Sequence, residues 1–174
     1  RVISAIIGAA TVAVVFAIGA WLFSAKIGLT AALIYSLLPP VIAYHKTINL
    51  DVTMVFLITL ALALFLVWLK SQKPRLLWLS VILLALSFAT KFPAILLALV
   101  PYGTILSANW QEVKKHQILP LPLPLVIFPL LAGVLLVGVW PWLWQNSLDH
   151  LIKTLGHWGG QVNELYFGRY GPAA

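Results

Sequence analysis

Asp51 closes a short polar island, Tyr44-His45-Lys46-Thr47-Ile48-Asn49-Leu50-Asp51, set between apolar runs at 29–43 and 52–69. The chain has four acids, Asp51, Glu112, Asp149 and Glu164, and of these Asp51 stands at the mouth of a long apolar run beside a His and a Lys. Ionisable groups at a membrane boundary are costly to hold in place, so they usually face an interior cavity and mark a site. A plainer role is also open, because an acid at a helix start satisfies free amides and suits the helix dipole. Lys91 is the second such group: Phe92-Pro93 and apolar flanks leave it at the junction of two apolar runs. With Arg1, His45, Lys46, His150, Lys153, His157 and Arg169, these residues form a set at the helix mouths of one face. Such a set could hold a lipid-borne phosphate, Lys as a point charge and Arg as a bidentate fork. For Lys46 and Lys153 snorkelling into headgroups accounts for the same placement.

His150, Lys153 and His157 fall at i, i+3 and i+7 and share a helix face. The two histidines lie about 10 Å apart along the axis, too far to bind one metal together. His157 with ligands from elsewhere leaves a divalent metal open, but a polar face turned to water is the plainer account of the pattern.

Positioning these groups falls to elements that are almost wholly apolar. The sequence is 62% hydrophobic and 9% charged, with a mean hydropathy of +1.02, whereas soluble domains run nearer half apolar and a quarter charged. This is the composition of an all-α integral membrane protein. The net charge of +7 is spread between apolar runs rather than gathered on a polar face, which excludes a nucleic-acid partner and points to anionic lipid headgroups. There is no cysteine, hence no disulfide framework or thiolate chemistry.

About 20 apolar residues cross a bilayer core as a helix. By that measure the sequence predicts six spans, at about 2–23, 29–44, 52–69, 76–90, 92–107 and 118–144. Pro39-Pro40 should kink or end the second, and Lys91 divides the fourth from the fifth. Alternation of loops puts Lys26, Lys70, Lys73, Arg75, Lys114 and Lys115 on one side, in short basic loops of cytoplasmic character. The other side takes Arg1, Lys46, Lys91, Lys153 and Arg169. Residues 145–174 form an outer loop, in which Leu148, Leu151, Ile152, Leu155 and Trp158 recur at the spacing of a helix lying on the membrane surface. With no Met at the start and an apolar run from Val2, the chain reads as a piece of a longer polytopic protein.

Gly-x-Ser-x-Gly, Gly-x-Gly-x-x-Gly and Walker-type loops are absent, which argues against a hydrolase or an ATP-driven pump. A flippase or transporter for an amphipathic substrate would also want cations inside the membrane, but no internal repeat is visible. A non-catalytic membrane subunit is the remaining alternative.

The order of features resembles a known family. An Arg-led span, a short turn and a span ending Leu38-Pro39-Pro40 precede the polar island and Asp51. A basic loop, Leu86-Ser87-Phe88-Ala89-Thr90-Lys91 and a proline-bearing span follow, then an outer Trp-Pro turn, a surface helix and Tyr166-Phe167-Gly168. The chain is similar in this to polytopic lipid-sugar-dependent glycosyltransferases, the GT-C superfamily, of the protein O-mannosyltransferase and aminoarabinose transferase type. The resemblance implies transfer of a sugar from a polyprenyl-phosphate carrier to an acceptor protein or glycolipid on the periplasmic or lumenal side of a bacterial inner membrane or ER membrane. It also implies a general base in a first outer loop, expected upstream of Arg1. Asp51 matches the second acidic position, which helps shape the site, and Lys91 matches a Lys at the end of the fifth span. Lys91, Arg169 and Lys46 would then hold the departing phosphate. His157 falls near a metal-binding His of aminoarabinose transferases, but its surroundings do not match well enough to carry a metal over.

Overall fold

The first helix shows how this fold is assembled. In the computed structural model, which describes residues 2–46, 50–91, 94–111 and 121–144 together with 149, 152, 153 and 156, α1 (Val2–Leu22) is long and apolar enough to cross a membrane. Its buried positions are small, Ser4, Gly8, Thr11 and Gly19, while Val2, Ile3, Ile6, Phe16 and Trp21 stay exposed. A helix apolar all round suits a lipid setting, where close packing of small residues takes the place of a hydrophobic face.

A tight turn returns the chain into α2 (Ala25–Leu37). The Gly19 carbonyl accepts the amides of Phe23 and Ser24, and the Ser24 side chain caps α2 by accepting the Ile27 amide at 3.3 Å. The two helices cross so closely that a Cβ on Gly28 would lie 2.5 Å from the Phe16 carbonyl oxygen and 2.6 Å from the Ala20 nitrogen. Glycine is required there for space.

The second predicted span is broken. Leu38, which precedes a proline, takes an extended conformation (φ −63°, ψ 123°), Pro39 and Pro40 then open α3 (Pro39–His45), and the bend between α2 and α3 is 66°. A proline disfavours the α region for the residue before it and lacks the amide that would continue the helix, which fits the break at Leu38.

A second hairpin makes the core. α4 (Leu50–Ser71) turns through Gln72, at φ 53°, and Lys73 into α5 (Pro74–Thr90). Ala61, Phe65 and Trp68 are buried in α4, and Leu77, Val81, Leu84, Ala85 and Phe88 in α5. The Ser80 hydroxyl donates to the Ala61 carbonyl at 2.8 Å and ties the helices together. α1 packs against both α2 and α4. The end at which α1 and α4 finish is marked by the Lys70 ammonium, 4.5 Å from the centre of the Trp21 ring. Lys26, Lys73 and Arg75 belong to the two turns at that end.

α6 (Ala94–Ala108) and α7 (Leu123–Val139) bury single stripes, Ala94, Ala98, Pro101 and Ile105 on one, Leu125, Phe128, Ala132 and Leu136 on the other. The Tyr102 hydroxyl donates to the Leu125 carbonyl at 2.7 Å, and its ring meets Phe128 edge-on.

Every regular element among the described residues is helical, and the protein is an all-α membrane protein. Two described helices, α1 and α4, have spanning length, and the bent α2–α3 pair makes a third if taken as one crossing. α5, α6 and α7 are apolar but have 17, 15 and 17 residues, about 22–26 Å of helix against a core of about 30 Å. Prolines mark the start of two of them: Pro74 opens α5, and α7 begins at Leu123, within the Pro120–Pro124 cluster.

By contact density the chain divides into Arg1–Leu136 and Val137–Ala174. In the second unit a 3-10 turn, Pro141–Trp144, follows α7, with the Trp144 indole donating to the Val137 carbonyl at 2.7 Å. Lys153 pairs with Asp149 at 2.6 Å, one helical turn apart and largely exposed. Most of the predicted surface helix, including His150 and His157, lies outside the described residues, as do Arg1, Lys114, Lys115 and Arg169.

Candidate active site

The hairpin of α4 and α5 decides where the charges meet. Because the two helices run antiparallel, the start of α4 and the finish of α5 share the end opposite the Trp21–Lys70 contact. Asp51 lies in the first turn of α4, where the helix dipole favours an anion. Lys91 caps α5 in an extended conformation (φ −161°, ψ 131°), with its amide held by the Ser87 carbonyl at 3.2 Å, so its side chain leaves the helix axis. The two groups, 40 residues apart in sequence, form an ion pair: the Lys91 ammonium donates to Asp51 Oδ1. The Asp51 side chain is 20% exposed and that of Lys91 38%. The pair is therefore half sheltered, with the cation still open to an incoming group.

Beside it opens a cavity of about 390 Å³ lined by Tyr35, Pro40, Val41, Tyr44, His45, Asp51, Val52, Met54, Val55 and Lys91. Its size falls in the lower part of the range of small-molecule sites, which are apolar clefts with a few placed polar groups. α2 supplies Tyr35, α3 supplies Pro40 to His45, α4 supplies Asp51 to Val55, and the end of α5 supplies Lys91. The bend at Leu38 swings α3 across the mouth and so makes this wall.

Of the residues singled out in the sequence, Asp51, Lys91 and His45 come together here. Lys46 does not line the cavity: it is exposed at the end of α3. Arg169 and His157 lie outside the described residues, and among those described no three His, Asp or Glu side chains converge on a common point. Tyr35, Met54 and Val55 were not legible as site residues, since nothing within an apolar run marks them. The one signal for Tyr35 is that it precedes the Pro39-Pro40 break by about one helical turn.

Ion pair, cavity and broken helix make an end of the bundle where a phosphate could meet a cation while apolar carbon packs against Val41, Val52 and Val55. No curated protein and no solved structure matches the chain significantly. A family model described as dolichyl-phosphate-mannose-protein mannosyltransferase matches residues 1–144. With that match over most of its length, the chain belongs to the dolichyl-phosphate-mannose-protein mannosyltransferase family of membrane glycosyltransferases.

Proposed function

We propose that this protein transfers a sugar from a polyprenyl-phosphate carrier to an acceptor hydroxyl, and that the reacting groups meet in the cavity beside Asp51 and Lys91. The observation that carries this reading is the ion pair at the mouth of an otherwise apolar cavity. In the transfer the acceptor oxygen bonds to the anomeric carbon while the bond from that carbon to the carrier phosphate breaks. The acceptor proton passes to a general base outside the described residues, and the polyprenyl phosphate leaves with one more negative charge than it brought. An ammonium has three N–H donors. Asp51 takes one from Lys91, and the others are available to the departing phosphate, whose growing charge they would stabilise more than the ground state. Asp51 fixes the ammonium in place beside apolar walls.

The basic turns at the opposite end (Lys26, Lys70, Lys73 and Arg75) have the character of cytoplasmic loops. On that ground the cavity opens on the periplasmic or lumenal side, and the acceptor is a protein or glycolipid exposed there. The test is transfer of radiolabelled mannose from mannosyl-phosphoryl polyprenol in membranes carrying Lys91→Ala or the unaltered protein at matched amounts. Turnover should fall at least tenfold more than protein yield. Equal losses in turnover and yield would leave Lys91 with a folding role and remove the reading's support.

A further inference from the structure

Gly8 is buried on α1, and what covers it is the imidazole of His45. A Cβ built on Gly8 would lie 2.7 Å from His45 Cδ2, 2.8 Å from Cγ and 2.9 Å from Nε2. Atoms of that kind do not approach below about 3.4 Å without loss of packing. Cγ is the root of the ring, so turning the ring about its own bond cannot relieve the conflict. The whole side chain, or α3 with it, would have to move. α3 has little freedom to do so, because two prolines fix its entry. The missing side chain at position 8 is thus a seat that sets where the imidazole stands, and the same imidazole lines the cavity.

We propose that His45, seated on Gly8, recognises the sugar: its imidazole hydrogen-bonds a hydroxyl of the carrier-bound sugar, and Gly8 is the positioning residue that fixes the ring. This deepens the carrier reading and rests on it. Neutral imidazole offers one N–H donor and one acceptor nitrogen, which suits a hydroxyl as well as any single side chain can. The groups sharing the cavity with it divide the remaining work: Lys91 and Asp51 form the charged pair, and Tyr35 and Tyr44 add phenol edges.

Two soluble probes separate sugar recognition from phosphate recognition: a short-chain mannosyl-phosphoryl polyprenol and the matching polyprenyl phosphate without sugar. Their affinities are measured on the detergent-purified protein carrying Gly8→Ala, His45→Ala, His45→Gln or the Gly8→Ala/His45→Ala pair. The expected result is about a tenfold weaker Kd for the mannosyl probe with Gly8→Ala and with His45→Ala, with little change for the sugar-free probe. His45→Gln should recover part of the loss, and Gly8→Ala should add nothing once His45 is Ala, because the atoms it collides with are gone. The proposal is overturned if His45→Ala and His45→Gln bind the mannosyl probe like the unaltered protein, or if both probes weaken equally. A further loss from Gly8→Ala in the His45→Ala background also overturns it. An unaltered protein that binds neither probe overturns the carrier reading itself, whatever the variants do.

Discussion

Exchanging the two charges, Asp51→Lys with Lys91→Asp, separates the structural worth of the pair from its chemical direction. Fully exposed ion pairs contribute about 0.2–1 kcal/mol, and breaking a fully buried one costs about 3–5 kcal/mol. With side chains 20% and 38% exposed, the coupling here should be about 1–2 kcal/mol. The helix ends add a second term. Asp51 at the start of α4 and Lys91 at the end of α5 each suit their dipole by about 0.5 kcal/mol, and exchange turns both contributions unfavourable, a change of about 2 kcal/mol in all. Either single reversal puts like charges together, costing the pair and adding repulsion, roughly 3 kcal/mol. The exchanged protein should therefore unfold in detergent below the original and above both single variants, with a coupling of at least 1 kcal/mol in the double-mutant cycle. Its transfer activity should stay at least a hundredfold down, since a carboxylate would now face the leaving phosphate. An exchanged protein no more stable than the single variants would refute the energetic argument. One that regains transfer would refute the assignment of Lys91 to the phosphate.

Other consequences are local. Gly28→Ala drives a methyl into the backbone of Phe16 and Ala20 and should cost about 2–4 kcal/mol of stability, while Gly133→Ala, with open space at the Cβ position, should be neutral or slightly stabilising in the same unfolding assay. Ser80→Ala removes the buried link to the Ala61 carbonyl and should cost about 1 kcal/mol with transfer unchanged. Pro39→Ala/Pro40→Ala lets α2 continue towards α3, so affinity for polyprenyl phosphate should fall as the 66° bend relaxes. Unchanged affinity, measured by the same probe binding, would mean the bend does not build the cavity.

How much of this was legible in the sequence depends on how local each feature is. Asp51 and Lys91 could be singled out because each is a lone charge at the edge of an apolar run. Their pairing is a matter of topology. It needs the turn at 72–73, and a basic, proline-marked loop at 70–75 signals that turn. Helix ends were less legible because hydropathy does not register where prolines stop a helix. Residues 118–144 are apolar almost throughout, yet α7 starts at Leu123 and stops at Val139, just before Trp140-Pro141. Gly8 was not legible at all. A glycine in an apolar helix is ordinary, and its meaning comes from a ring carried in by another element.

The cavity thus depends on two devices of different kinds, and both converge on α3. The proline pair sets the direction in which α3 leaves α2, and the gap at Gly8 lets its last turn settle against α1. Neither suffices alone. A bent helix without the gap would meet α1 through the His45 ring and stop short of it, whereas a gap without the bend would have no ring to receive. α3 is also short, seven residues with none buried, so little packing of its own holds it in place. The bend and the seat on α1 act together with its contact on α4, so small changes at Gly8 or Pro39, positions that carry no charge and make no polar contact with substrate, should reach the chemistry at the cavity mouth.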